Sequence, residues 1–212
     1  MPGIEPLLDL IFPPKCPFCG KLLEKGALLC PDCQRDLPWL TGERAMRAVE
    51  LTEGCWSVLK YEGAVREGIR GYKFRGHRAR GKAFGELMAQ AADHRLEFDL
   101  ITWPSLSRRR LRERGYDQAG ILAEEMGRKL DKPAVRTLEK EERPAQSGLE
   151  GPQERKINVL GAYSAPEPEA FRGKRVLLVD DVVTTGSTLS ECAGVLRAAG
   201  AGAVVCLTLA RA

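Results

Sequence analysis

A strand, a loop and a helix near the C terminus constrain the fold of this chain more than any other feature. Residues 175–180 form an almost continuous apolar run, which is typical of a strand buried on both faces of a parallel sheet. Residues 189–199 follow with a helical pattern that Gly200 would end, and Thr188 with Glu191 indicates a capping box at its start. This unit predicts an α/β domain in which helices flank a parallel sheet.

Two acids and a hydroxyl-rich loop join this strand to this helix. Asp180 and Asp181 end the strand, at the edge where ligands bind in open parallel sheets. The hydroxyl and backbone N–H groups of residues 182–188 can form a nest for a phosphate, and Gly186 lets the backbone approach it. Helix capping alone is the simpler alternative, but a cap needs only one such residue. The pattern therefore predicts a phosphate site beside two carboxylates.

The rest of the chain alternates predicted strands with predicted helices, which favours parallel βαβ units. Strands are predicted at residues 55–61, 99–103, 134–138 and 203–209, and helices at residues 64–72, 82–96 and 118–130. Residues 104–117 are predicted to form a basic loop. Residues 139–161 have no clear period and are long for an inert connection, so they are interpreted as a lid or a binding loop.

Four of the seven cysteines lie within residues 16–33. Two Cys-x-x-Cys pairs can supply four thiolates to a tetrahedral zinc ion, whereas a redox dithiol, the alternative, needs only one pair. The sequence predicts a zinc ribbon with its leading segment in residues 1–40 and the α/β domain in residues 41–212. The expected zinc ligands are Cys16, Cys19, Cys30 and Cys33, and the other three, Cys55, Cys192 and Cys206, are expected to be buried apolar side chains.

The formal net charge of +4 is unevenly distributed along the chain. Residues 66–82 carry seven Lys or Arg and one Glu, and residues 108–114 carry five Arg and one Glu. A solvated face is the ordinary role of such runs, but a surface for single-stranded nucleic acid is the alternative. The candidate contacts are Arg108, Arg109, Arg110, Arg112 and Arg114, with Tyr72, Phe74, Trp103 and Tyr116 as candidates for base stacking.

Residues 176–188 read VLLVDDVVTTGST and resemble the phosphoribosyl-pyrophosphate (PRPP) motif of type I phosphoribosyltransferases at all 13 positions. The resemblance implies that Asp180 and Asp181 hold the ribose hydroxyls and that Mg²⁺ bridges the pyrophosphate oxygens. It implies that the 5′-phosphate is bound by Thr184, Thr185, Gly186, Ser187 and Thr188, and that further PRPP contacts come from Lys73, Ser107 and Arg155.

The whole chain is also similar to the ComF family of competence-associated proteins, which join a zinc ribbon to a phosphoribosyltransferase-like domain. The resemblance depends on the paired cysteine motifs, YEG at 61–63 with Arg66 and Lys73, RGYDQ at 114–118, QSGL at 146–149, Arg155, Asn158 and the PRPP motif. Two places depart from the family pattern: WPSL at 103–106 replaces Pro-x-Pro-Leu, and RGYDQ replaces Arg-Gly-Phe-Asn-Gln. The loop expected to hold pyrophosphate is therefore altered.

Two functions remain open at this point. The family resemblance implies a PRPP-binding protein that acts in DNA uptake, handles single-stranded DNA and has competence proteins as partners. The alternative is a phosphoribosyltransferase that moves ribose 5-phosphate from PRPP to a base or an amine, although the sequence carries no acceptor motif. A cytoplasmic protein without membrane insertion is expected, because no secretory signal or apolar run of spanning length is present.

Overall fold

The computed structural model describes residues 13–93, 96–141 and 161–212. Its strands are β1 (Met46–Arg47), β2 (Cys55–Lys60), β3 (Leu100–Thr102), β4 (Glu139–Lys140), β5 (Tyr163–Ser164), β6 (Arg175–Val183) and β7 (Ala203–Arg211). Five of them form one sheet in the order β1-β2-β7-β6-β3, in which only β1 is antiparallel to its neighbour. β4 and β5 pair separately as an antiparallel ribbon.

The helices are α1 (Pro31–Asp36), α2 (Gly63–Phe74), α3 (Arg80–Asp93), α4 (Arg108–Arg114), α5 (Gln118–Leu130) and α6 (Ser187–Ala198). Short 3₁₀ turns occupy Gly42–Ala45 and Pro168–Ala170. Among the described residues, no helix is both long enough and apolar enough to cross a membrane.

Helices cover both faces of the sheet and bury two separate cores. On one face, residues of α2, α3 and α5 pack with Leu177 and Val179 of β6. On the other face, α6 packs with Val176 and Leu178. Successive side chains of a strand point to opposite faces, so the continuous apolar run of β6 supplies both cores. The predicted α/β fold with a mostly parallel sheet is confirmed.

The cysteine ribbon packs on the α/β domain and shares its core. The ring of Phe18 lies 5.2 Å from the ring of Phe84 on α3. Gly68 of α2 permits this approach, because a Cβ atom there would lie 2.8 Å from the Phe18 ring. Burial of apolar surface at this contact links the stability of the two parts.

Two local predictions differ from the structure in the segments that follow β3. The predicted basic loop contains α4, whose N-cap is Ser107 and whose end is Gly115 in the left-handed conformation at φ 77°. The predicted strand at 134–138 is reduced to a parallel bridge between Ala134 and Ile101. Pro133 precedes that bridge, and because proline has no backbone N–H it cannot donate a further ladder hydrogen bond there.

The predicted capping box at the start of α6 is wrong. The helix begins at Ser187, two residues earlier than expected, and its N-cap is Gly186 at φ 85°. Glu191 instead accepts hydrogen bonds from the backbone N–H groups of Ala162, at 2.5 Å, and Tyr163, at 3.3 Å. Its carboxylate therefore ties α6 to β5.

Candidate functional site

The carboxyl end of β6 carries the two acids of the PRPP motif. Asp180 and Asp181 lie within the ladder to β7, where Asp180 pairs with Thr208. The alternation of a strand directs their side chains to opposite faces. Asp181 is 7% exposed at its side chain and meets Lys73 of α2, with 2.7 Å between Nζ and Oδ1.

The Lys73 ammonium is held charged at this position. Burial disfavours the charge, but Asp181 and Asp180 outweigh it, and the pKa of Lys73 is raised above its ordinary value. Only 21% of the side chain is exposed. The site therefore contains a fixed cation next to a buried carboxylate.

Asp180 is the more strongly perturbed of the two acids. Burial and then the charge of Asp181 raise its pKa, Lys73 opposes both effects, and the pKa stands at about 7. The backbone N–H of Asp181 donates to Asp180 Oδ1 at 2.8 Å. Asp180 therefore changes its charge near neutral pH.

The loop after β6 presents hydroxyl groups at the start of α6. Thr185 Oγ1 and Ser187 Oγ lie 2.8 Å apart, and the Thr184 carbonyl accepts a 2.6 Å hydrogen bond from Arg47. Gly186 has no side chain with which to cap the helix, and a Cβ atom there would lie 3.2 Å from Val49. The first N–H groups of α6 remain suited to an anion.

The altered loop after β3 forms the opposite side of this edge. Trp103 is buried, and its indole N–H donates to Asp117 Oδ2 at 2.9 Å. Asp117 also caps α5 by accepting from the Gly120 N–H at 3.2 Å. The two departures from the family pattern thus bond to each other. Ser107, a predicted PRPP contact, accepts from the Arg110 N–H at 3.4 Å as the cap of α4.

Lys140 and Tyr163 form a pair that no motif in the sequence indicates. Lys140 Nζ lies 3.2 Å from the Tyr163 hydroxyl and 4.8 Å from the centre of its ring. Burial, followed by the charge of Arg110, lowers the pKa of Lys140, while Asp180 acts in the opposite direction. The charge of the Lys140 amine is therefore disfavoured at this position. Lys140 falls in a segment without periodicity, and only its basic character could have indicated it.

The arginines of α4 are exposed, except for Arg114, and differ in their contacts. Arg109 lies 3.8 Å from Glu113, and Arg114 donates to Gln118 Oε1 at 2.8 Å. Within the described ranges, the side chains of the other three form no ion pair or hydrogen bond: Arg108, Arg110 and Arg112.

The basic segment at 66–82 is partly engaged in internal contacts. Lys73 pairs with Asp181, Arg75 with Glu67, and Arg80 donates to the Gly68 carbonyl. In the portion of the chain that the structure describes, Arg66, Arg78 and Lys82 have exposed side chains without an ion pair.

Three of the four candidate stacking residues are buried, so the prediction is wrong for them. Tyr72 and Tyr116 hydrogen-bond inside the domain, and Trp103 bonds to Asp117. Phe74 is 66% exposed, and the Arg114 guanidinium lies 5.1 Å from the centre of its ring.

The four ribbon cysteines converge. Their sulfur atoms all lie within 4.8 Å of one another, and Cys19 is the exposed member. Burial raises the pKa of the Cys16 thiol, but backbone N–H groups of the ribbon, including that of Cys19, outweigh it and bring the pKa down to about 7. Such a thiol is readily ionised for metal binding. The remaining cysteines, Cys55, Cys192 and Cys206, are buried as predicted.

Several residues of the resemblance lie outside the described residues. They are Arg155, the QSGL segment at 146–149 and Asn158.

Comparison with known proteins identifies both parts of the chain. Residues 7–48 match the double zinc ribbon domain family, and residues 114–212 match the phosphoribosyl transferase domain family. Together with the converging thiols, the first match supports a structural zinc ion in the ribbon.

Two of three similar curated proteins match over most of the chain. Competence protein ComFC of Bacillus subtilis is 30% identical over 90% of this chain and 74% of its own length. DNA utilization protein YhgH of Escherichia coli is 29% identical over 92% of this chain and 83% of its own. Competence protein F of Haemophilus influenzae is 40% identical, but the match covers only 47% of this chain and 44% of that protein.

Solved structures match part of the chain. The allosteric regulatory enzyme of purine biosynthesis is 24% identical with a TM-score of 0.43 over 60% of this chain and 25% of that one. Adenine phosphoribosyltransferase from Thermoanaerobacter pseudethanolicus is 17% identical with a TM-score of 0.41 over 70% of this chain and 84% of that one.

Proposed function

The chain belongs to the ComF family of competence proteins, and on that basis we propose that it binds Mg²⁺·PRPP at the end of β6 and handles single-stranded DNA in DNA uptake. The observation that carries the proposal is the Lys73–Asp181 pair beside the hydroxyl-rich loop. A fixed ammonium, two carboxylates and a phosphate nest at one sheet edge fit the three parts of PRPP.

The 5′-phosphate binds in the loop at 184–188. Support comes from the paired hydroxyls of Thr185 and Ser187 and from Gly186, whose missing side chain leaves the backbone accessible. Hydroxyl groups, backbone N–H groups and the positive end of α6 all favour a dianion there.

The ribose hydroxyls bind to Asp180 and Asp181, and Lys73 faces the pyrophosphate with Mg²⁺. The Mg²⁺ ion would partly neutralise the negative charge of the pyrophosphate. Lys140 is a further cation on the Asp180 side, and Arg155 belongs to the same set by resemblance alone. If pyrophosphate departs, the carboxylates stabilise the positive charge that develops on the ribose.

The PRPP proposal is tested by calorimetry with two variants. Asp181→Asn removes a ribose acceptor and Thr185→Ala removes a phosphate donor, so each should weaken Mg²⁺·PRPP binding about tenfold or more. Asp36→Asn, in the ribbon, removes an exposed Asp that pairs with Arg35 and serves as the matched control. Unchanged affinity in both site variants would place PRPP elsewhere.

The enzyme alternative is tested in the same preparation. PRPP-dependent release of pyrophosphate is measured with bases, nucleosides, amines and DNA as acceptors. Turnover in the wild type that Asp181→Asn abolishes would establish a phosphoribosyltransferase. Binding without turnover would support a PRPP-binding protein.

Single-stranded DNA binds the surface formed by α4 and the segment at 66–82. Support comes from Arg108, Arg110 and Arg112, whose exposed charges have no ion pair among the described residues. Each phosphate contact releases counterions, so the slope of log affinity against log salt should flatten by about 0.7 for each contact removed.

Arg108→Ala with Arg112→Ala should therefore weaken DNA binding at low salt and flatten this slope, while Mg²⁺·PRPP binding is kept. Arg172→Ala, which removes an exposed arginine paired with Glu169, is the matched control. A loss of PRPP binding with an unchanged DNA slope would assign these arginines to pyrophosphate alone.

A cytoplasmic location completes the proposal. It is supported by seven cysteines that are free of disulfides, as expected in a reducing compartment. Competence proteins are the partner class suggested by the names of the relatives.

A further inference from the structure

Phe74 is an aromatic residue exposed at the end of α2. Its side chain is 66% exposed, although burial of an aromatic ring is strongly favoured. The guanidinium of Arg114 lies 5.1 Å from the centre of the ring. The contact with Arg114 therefore leaves much of the ring accessible to solvent.

The Arg114 guanidinium is fixed by a second contact. Its Nη1 donates to Gln118 Oε1 at 2.8 Å, and Gln118 is itself buried at the start of α5. Gln118 also donates to the Tyr116 carbonyl at 3.2 Å. The guanidinium is therefore anchored beside the aromatic ring before any ligand arrives.

Phe74 belongs to the same helix as the lysine of the proposed PRPP site. It directly follows Lys73, whose Nζ is 2.7 Å from Asp181 Oδ1. Arg114 of α4 lies over the Phe74 ring of α2, and the Tyr116 hydroxyl donates a hydrogen bond to the Tyr72 carbonyl. The two basic segments of the sequence therefore meet around this ring.

We propose that Phe74 and Arg114 form a stacking platform for one unpaired base of single-stranded DNA. This inference rests on the proposed DNA-binding function and adds the group that the base contacts. Every base has a π-face, so such a platform binds without sequence preference. A strand, unlike a free base, also supplies phosphates for the exposed cations at Arg78 and Arg112.

The alternative partners fit this surface less well. Bases in a duplex have their faces covered by neighbouring pairs. A protein partner that buried the ring would leave the surrounding unpaired cations without phosphates. A base stacked on Phe74 would lie next to Lys73, so the strand would pass beside the proposed PRPP site.

The test separates base contacts from phosphate contacts. Fluorescence anisotropy is measured with an oligothymidylate and with an abasic oligonucleotide of the same length. Phe74→Ala and Phe74→Leu should each weaken oligothymidylate binding about tenfold and leave abasic binding and its salt slope unchanged. Phe74→Trp should keep the wild-type preference. Leu22→Ala, which shortens an exposed apolar side chain of the ribbon, is the matched control.

Each remaining outcome overturns the inference. Equal losses on both oligonucleotides, or no loss, would show that Phe74 does not stack on bases. If the wild type bound both oligonucleotides equally well, the stacking platform would be excluded and the DNA-binding function would stand. If it bound neither oligonucleotide, both proposals would be excluded. If the Phe74 variants bound a free nucleoside more weakly than the wild type in the presence of PRPP, with DNA binding unchanged, the ring would be an acceptor subsite instead.

Discussion

At the residue scale, Asp180 makes the stability of the folded protein depend on pH. Burial and then Asp181 raise its pKa from 3.8 to about 7, so the folded state holds this proton more tightly than the unfolded chain does. The contribution to stability is therefore fully present below the unfolded pKa and is lost as pH rises through about 7. Asp180→Asn should raise the melting temperature above neutral pH and change it little in acid. A variant that is no more stable at high pH would show that Asp180 is not destabilising there.

The carboxylate pair could be predicted from the sequence, but the place of Lys140 could not. Asp180 and Asp181 end an apolar strand, so their place at the sheet edge follows from the strand itself. Lys140 reaches the same region only because β4 pairs with β5 across the segment at 141–162. Such long-range pairing leaves no local pattern.

The bond between Trp103 and Asp117 explains how the chain accommodates its altered loop. Burial raises the pKa of Asp117, and the indole N–H is the strongest of the contacts that oppose this effect. Trp103→Phe keeps the ring in the core and removes that donor, so we expect a loss of about 1–3 kcal/mol in the free energy of unfolding. Asp117→Asn has one carbonyl oxygen for two donors, the indole N–H on Oδ2 and the Gly120 N–H on Oδ1, so it should be destabilising as well. Denaturant unfolding measures both variants, and wild-type stability in Trp103→Phe would contradict a role for this bond.

At the element scale, α6 is joined to β5 by Glu191. Its Oε1 accepts two backbone N–H groups, while its buried Oε2 has no partner among the described residues. Glu191→Gln keeps the acceptor and removes a buried charge, so it should be at least as stable as the wild type. Glu191→Ala leaves two N–H groups without their acceptor and should cost about 1–3 kcal/mol. Thermal unfolding compares them, and a glutamine variant as unstable as the alanine variant would contradict the assignment.

Periodicity predicted some elements better than others for physical reasons. The helical pattern at 118–130 matches α5 at both ends, because Leu122 and Met126 form its buried face. α4 has no buried residue, and Leu111 is its one apolar side chain. Its only local signals are the capping Ser107 and Gly115, so a pattern based on burial could not find it.

At the scale of the whole molecule, the ribbon and the α/β domain share one core. Phe18 of the ribbon is buried against Phe84, and both belong to a continuous cluster that reaches the sheet. The cysteine spacing predicted the ribbon, but no sequence pattern indicated where it packs. The close approach depends on Gly68, whose role is visible only once the two surfaces meet.

This shared core predicts that zinc stabilises the entire chain. Cys16→Ala with Cys30→Ala removes two of four thiolates, so elemental analysis should show that the protein has lost its zinc.

Without the metal, the ribbon can no longer hold Phe18 against Phe84, and exposed apolar surface on α2 and α3 should lower the melting temperature of the α/β domain as well. Near-ultraviolet circular dichroism follows the packing of aromatic side chains, which in that domain include the buried Trp103. Replacing Cys55, a buried cysteine of β2 outside the cluster, with Ala controls for the loss of a thiol and should leave the zinc content unchanged. An unchanged zinc content in the double variant, or an α/β domain that melts at the wild-type temperature without zinc, would show that the ribbon is energetically separate.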